Sequence, residues 1–355
     1  MAQIRYFLGG NTPVGFYSLY DQLSDRSRVT YLYILKGGAG CGKSTLMKHV
    51  AARVEAAGVE AERILCSGDP DSLDGVFFPS LSAAVADGTY PHVLEAGCVG
   101  AADRYIDLSR FYRRSQLLPL REEIIAATDR YRSRRRDAYR SLQAAGLLLR
   151  ERYDSADSAA LRTRLEKRAQ GIIRRELKKS GHGSGTLSRQ FLTAITHRGA
   201  TALWETAEAQ ADRIFRLSDS YGTAHLLLDP LCSAARAADY DVITCPDPME
   251  PDRTAHLLIP ELRLAFLSDS PLFPAPERAN RHLRLDAVAE QPLDEEYRSR
   301  LRLGKKLTSS LLEDTVSGLA ESKREHDVLE GLYNPHVDFD GVVEQADEIA
   351  RELLG

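Results

Sequence analysis

The chain of 355 residues is 43% hydrophobic and 28% charged, and it carries a net charge of −4. That balance fits a globular protein of roughly two domains and excludes a wholly disordered chain, a collagen-like fibre and a disulfide-stapled miniprotein. It holds no run of 18 apolar residues and no apolar leader, and Cys41, Cys66, Cys98, Cys232 and Cys245 form no CxxC pair. The expectation is a cytoplasmic protein with free thiols and no membrane span.

In chain order, Val29 to Lys36 is a short apolar run with β-branched and aromatic residues and predicts a strand. Ser44 to Ala57 sets Leu46, Val50 and Val54 on one helical face, with Gly58 placed to stop it. Arg63 to Ser67 and Ser82 to Ala86 read as two further buried strands. From about Pro119 to Lys179 the pattern is helical, with a break near Asp154–Ser158. Strand, helix, strand, strand with short links predicts a small, mostly parallel sheet with helices on its faces. The same order returns in the second half and ends in a helical stretch from Asp294 to Leu354.

The residues recur as well as the order. Arg5-Tyr6-Phe7-Leu8 matches Arg189-Gln190-Phe191-Leu192, Gly15 falls opposite Gly199, and Tyr20 falls opposite Trp204. Ile64-Leu65-Cys66 matches Ile243-Thr244-Cys245, Phe78-Pro79 matches Ile259-Pro260, and Tyr153 falls opposite Tyr333. A nearly constant offset predicts a tandem duplication, 1–183 and 184–355, of a P-loop NTPase-type three-layer α/β domain with a helical arm. The Gly/Ser-rich stretch Ser180–Gly185 reads as a flexible joint.

The strongest motif is Gly37-Gly38-Ala39-Gly40-Cys41-Gly42-Lys43-Ser44, followed by Thr45. In a G-x-x-x-x-G-K-[ST] loop the glycines let backbone N–H groups wrap a phosphate. Lys43 would bind the β- and γ-phosphates of ATP, the Ser44 hydroxyl would coordinate Mg²⁺, and the helix N-terminus would add its dipole. Opposite it stands Asp219-Ser220-Tyr221-Gly222-Thr223-Ala224-His225-Leu226. His225 replaces the lysine, Leu226 replaces the serine, and Asp219 puts a negative charge where phosphates would sit. Asp229-Pro230 further suggests a helix that starts late. The second half is expected to hold no nucleotide, with a rebuilt site on His225 as the alternative.

Asp87 follows Ala83-Ala84-Val85-Ala86 and should end a strand beside the loop, as a Mg²⁺-binding aspartate or as the cap of the turn Asp87-Gly88-Thr89. Asp69, Asp71 and Asp74 follow a strand end, where α/β sheets bind ligands. Asp69 or Asp71 would orient a nucleophile as general base, or else cap a turn. His92 reads as structural more readily than as a phosphate contact, and Cys66 and Cys245 as packing. Cys41 lies at a helix N-terminus, where a thiol pKa tends to fall, so alkylation or oxidation there would block binding.

FLGGNTPVGFYS, ILKGGAGCGKSTLMKH, CSGDPDSLDGVFFPSL and AVADGTYPH resemble an uncharacterised bacterial family of tandem P-loop proteins described only as ATP-binding, ATPase or nucleotide-kinase-like. The resemblance implies ATP at Gly37–Ser44, draws notice to Asp69, Asp71, Asp74, Asp87 and His92, and supplies no second substrate. Members of that family often keep a second G-x-x-x-x-G-K-[ST] loop, which this sequence lacks at Asp219–Leu226.

The arms carry opposite charge. Residues 110–179 hold 20 Lys/Arg against 9 Asp/Glu, whereas 294–354 hold 8 against 15. The densest basic patch is Arg130, Arg132, Arg134, Arg135, Arg136 and Arg140, with Tyr131 and Tyr139 among them. Pairing of the two arms is favoured over solvated faces or a nucleic-acid surface. Two functions stay open at this point: a Mg²⁺-dependent enzyme that hydrolyses ATP or passes its γ-phosphate to an unknown second substrate, with Lys43, Asp69, Asp71 and Asp87 as its catalytic set, and a nucleotide-gated binding module with little turnover.

Overall fold

The computed structural model describes residues 3–178, 180–289 and 295–355, with side chains from 302 onward in the last stretch. The first half contains β1 (Arg5–Tyr6), a hairpin of β2 (Gly9–Thr12) and β3 (Gly15–Ser18), β4 (Tyr31–Lys36), α1 (Lys43–Ala56), β5 (Glu62–Leu65), β6 (Leu73–Phe78), β7 (Ala83–Asp87) and β8 (Asp103–Asp107). Then come the short α2 (Arg114–Leu117) and the arm helices α3 (Arg121–Ala156) and α4 (Ala159–Glu176). The second half runs β9 (Leu187–Arg189), the hairpin β10 (Thr193–Thr196) and β11 (Gly199–Ala202), α5 (Trp204–Gln210), β12 (Arg213–Ser218), α6 (Ala224–Ala237), β13 (Val242–Asp247), β14 (Glu250–Ile259), β15 (Leu264–Asp269) and β16 (Arg281–Arg284). It closes with α7 (Asp286–Ala289), α8 (Glu295–Tyr333) and α9 (Phe339–Leu354).

Two six-stranded sheets result, ordered β1-β5-β6-β7-β4-β8 and β9-β13-β14-β15-β12-β16. Both are mixed but mostly parallel, with one reversed strand each: β5/β6 and β6/β7, like β13/β14 and β14/β15, are antiparallel, so β6 and β14 run against the other five strands of their sheets. The strand β6, which carries Asp74, was missed because Leu73-Asp74-Gly75 breaks the apolar pattern. It is nonetheless buried along its whole length. The halves meet where Phe7 and Phe191 exchange backbone hydrogen bonds of 3.0 and 2.8 Å. Two residues that the sequence pattern aligns thus pair with each other. The joint at 180–185 is tied down rather than loose, because the Asp241 carboxylate accepts from the Ser184 and Thr186 amides and Glu261 accepts from His182.

Each arm packs on the other half. The core of the first half includes Val342, Ala346, Ile349 and Ala350 of α9, which lie against α1. The core of the second includes Leu161, Leu165, Ala169 and Ile172 of α4, which lie against α6. Burying a side chain such as Val342 or Ile349 contributes roughly 1.5–3 kcal/mol, and Arg104 adds ion pairs to Glu348 (2.7 Å) and Glu352 (2.5 Å).

Between these ends α3 and α8 run antiparallel, with Arg130–Glu325 at 2.9 Å, Arg134–Glu321 at 3.3 Å and Ser141–Asp314 at 2.5 Å. The expected arm pairing is present, but the ion pairs are half-exposed, and such pairs are worth about 0–1 kcal/mol each. The seam is apolar, built from Ala138, Leu142, Ala145 and Leu319. Salt should therefore loosen it little. A Cβ on Gly318 would stand 2.9 Å from that of Ala138. Gly318→Leu is expected to destabilise the protein more than the double charge reversal Arg130→Glu/Arg134→Glu, by roughly 1–3 kcal/mol against about 1 or less. Equal effects in thermal unfolding would contradict an apolar seam. No described helix is long and apolar enough to cross a membrane.

Candidate functional site

The loop 37–42 leaves the carboxyl end of β4, which lies between the parallel strands β7 and β8, and enters α1. Its turns need left-handed backbone at Gly40 (φ +67°) and Gly42 (φ +87°), and a Cβ on Gly37 would fall 2.5 Å from the Cys41 sulfur. Lys43 donates from Nζ to the carbonyls of Gly37 (2.9 Å) and Gly38 (2.8 Å) and stands 3.7 Å from Asp87 Oδ2. The Ser44 hydroxyl accepts from the Leu73 amide at 3.0 Å, which leaves a lone pair for a cation.

Asp87 ends β7, whose register sets it beside Leu35 of β4. Oδ1 caps the turn, as one of the two readings has it, by accepting from Thr89 N (2.8 Å) and Oγ1 (2.5 Å), while Oδ2 faces Lys43. Asp74 and His92 join it. The three are buried, and their ligating atoms lie within 4.8 Å of one another. His92 Nε2 is 3.4 Å from Asp74 Oδ2, which also accepts from the Tyr20 hydroxyl at 3.1 Å. Burial pushes the Asp74 carboxyl up, against the pull of His92. Such a group can hold a divalent cation, whose charge would offset the cost of two buried carboxylates.

Asp69 and Asp71 sit in a turn. Asp69 accepts from Ser72 Oγ at 2.9 Å and from the Asp71 amide at 3.3 Å. These bonds, with Lys323 of α8 at 3.5 Å, hold its carboxyl below the usual range despite its burial. The Asp71 carboxylate is mostly exposed and ion-paired to Arg198 of the β10–β11 turn. Turn chemistry accounts for both. Asp71 pairs with Arg198, and Asp69 alone of the two is held by α8 of the arm that covers the loop.

That cover was not foreseen. The Tyr112 hydroxyl donates to Ala39 O at 2.7 Å. Asn334, with Nδ2 turned to the carbonyls, donates to Gly40 O at 3.0 Å. Tyr333 packs on Gly40 and Phe339 on Gly42, and Lys323 of α8 pairs with Asp69. The aligned tyrosines were the available signal: Tyr333 covers Gly40 and Tyr153 covers Gly222 in the other half.

Cys41 departs from expectation. It is buried, and desolvation raises its thiol pKa more than Lys43 lowers it, so burial outweighs the place at the helix N-terminus. All five cysteines are unpaired.

In the second half the corresponding loop is filled from within. The Asp219 carboxylate accepts from Thr223 N (2.6 Å), Thr223 Oγ1 (2.9 Å) and Ala224 N (2.9 Å). A side-chain carboxylate thus takes the amides that a phosphate would use. The helix does not start late: α6 begins at Ala224, and Pro230 lies inside it, because Asp219 already satisfies its first amides. His225 binds the Gly222 carbonyl at 3.0 Å, and burial lowers its pKa.

No family model, curated protein or solved structure significantly matches this chain. Its chemistry is therefore read from its own geometry.

Asp247, beside this plug, lines a cavity of about 140 Å³ with Tyr153, Met249 and Phe273. Burial pushes its carboxyl up to about 6. Since the folded value exceeds the unfolded one, Asp247 favours folding least above pH 6, and its penalty vanishes below about pH 4. Asp247→Asn is expected to stabilise the protein by up to about 2–3 kcal/mol at pH 7.5 and to change little at pH 4. A stabilisation independent of pH would contradict this.

Proposed function

We propose that the first half binds ATP with Mg²⁺ and hydrolyses it or transfers its γ-phosphate, and that the chain is a tandem P-loop protein whose second half has lost its site. The observation that carries this reading is the contrast between two equivalent loops. One sets a lysine, a serine and a strand-end aspartate around a glycine-rich turn; the other fills its amides with Asp219. The shared strand order of the two sheets and the resemblance to tandem P-loop proteins support the same reading.

In that reaction the loop amides and Lys43 would hold the phosphates, and Ser44 and Asp87 would hold the metal, with Asp74 beside them. The oxygen of water or of an acceptor hydroxyl bonds to the γ-phosphorus as the bond to the ADP oxygen breaks. The attacking group's proton passes to Asp69 or to solvent. Mg²⁺ supplies charge neutralisation at the transferring phosphoryl group.

A second reading has its own observation. Asn334, Tyr333 and Phe339 of the swapped arm lie on the nucleotide loop, so occupancy would be coupled to the arm. Phosphate release and hydrogen exchange separate the two. Mg²⁺-dependent release that chelation abolishes supports an enzyme. Absent release, with ATP-dependent protection of 333–345, supports a gate. Neither signal would defeat both.

A further inference from the structure

Arg135 of α3 is partly buried, and no described carboxylate pairs with it. Its guanidinium donates to the Tyr131 hydroxyl at 3.2 Å and the Tyr139 hydroxyl at 3.4 Å, and it stacks 5.8 Å from the Phe16 ring centre and 5.6 Å from that of Tyr139. Its neighbours Arg130 and Arg134 on the same arm both have acidic partners on α8. Withdrawing a cation from water costs free energy, and neutral hydroxyl partners offset less of that cost than an anion would.

Two lines of contact lead from Arg135 to the loop. One runs through Phe16, whose ring is 5.2 Å from that of His92, and on through Asp74 and Asp87 to Lys43. The other runs through Tyr131, whose ring is 5.3 Å from that of His326, one turn along α8 from Lys323 and Asp69. These residues stand over the carboxyl ends of the strands. Asn11 ties that crest together by accepting from Tyr139 at 2.6 Å and donating to Ser67 O at 3.2 Å.

We propose that the crest under the α3–α8 pair receives a planar or aromatic molecule bearing a phosphate or carboxylate, and that Arg135 binds that anion. As a second-substrate site it rests on the ATP reading above; as an anion site it does not. Phosphate and carboxylate suit a guanidinium fork equally, and the rings of Phe16, Tyr131 and Tyr139 suit a flat body.

The test is calorimetric titration of the full-length protein, with and without saturating Mg·ADP, with phenyl phosphate, benzoate and neutral benzyl alcohol as probes. One phenyl phosphate or benzoate should bind in either state, and benzyl alcohol should not. Arg135→Met should weaken the anion at least roughly 30-fold, and Arg135→Lys, which keeps the charge and the fold but not the fork, roughly 10-fold. Lys43→Ala should leave it within about twofold. Anion binding unchanged in Arg135→Lys, lost in Lys43→Ala, or absent from the wild type would overturn the proposal. Failure of ADP to bind while anion binding still depends on Arg135 would sink the ATP reading and leave the anion site standing.

Discussion

Lys43→Ala is expected to lower ATP affinity by roughly 10²-fold or more, about 2.7 kcal/mol. The ammonium lies in the loop, held by the Gly37 and Gly38 carbonyls, and stands 3.7 Å from the Asp87 carboxylate. A bound triphosphate would draw it from those carbonyls, and the charge-assisted bonds so gained are the strong kind. Alanine removes them without touching the glycine turns or the α1 core residues Leu46, Met47 and Val50, so the fold should persist. Titration with a fluorescent ATP analogue measures the loss. His225→Ala in the same assay should leave affinity unchanged, because His225 belongs to a loop that Asp219 already fills. Equal losses in the two variants would contradict the assignment of the site to the first half.

Asp87→Asn is expected to reduce Mg²⁺-dependent turnover by roughly 10²-fold while leaving metal-free ATP binding equal or tighter. Asparagine keeps an oxygen for the Thr89 turn, so the strand end should hold. What it removes is the anionic oxygen that faces Lys43 and the Asp74–His92 pair. Asp71→Asn should stay within about twofold of the wild type, since Asp71 faces solvent and Arg198. Single-turnover measurement at several Mg²⁺ concentrations separates a metal defect, which excess metal partly rescues, from a lost base, which it does not. A wild-type rate in Asp87→Asn would remove the metal role.

The legibility of this chain follows from how far each interaction reaches. The loop, the strand before it, α1 and the aspartate at the end of β7 are encoded in contiguous stretches, and the structure puts them where the spacing does. The charge contrast of the arms also points to their pairing. What the sequence hides is long-range. Nothing in the periodicity of 294–354 says that α9 joins the core of the other half, or that Tyr333 and Asn334 meet Gly40. The buried strand β6 disguises itself with Asp74 and Gly75, polar and small residues that suit a site more than a core. Pro230 reads as a helix start by local rules, yet stands in mid-helix because Asp219, eleven positions upstream, supplies the cap. Burial likewise decides the Cys41 thiol, and burial is a property of the folded chain.

The claim on which the account turns is one nucleotide per chain, seated in the first half. Calorimetric titration of the wild-type protein with ATP and excess Mg²⁺ tests it most directly. The expected result is a single class of site with a stoichiometry of one that disappears in Lys43→Ala; two sites per chain, or binding that survives that substitution, would contradict it.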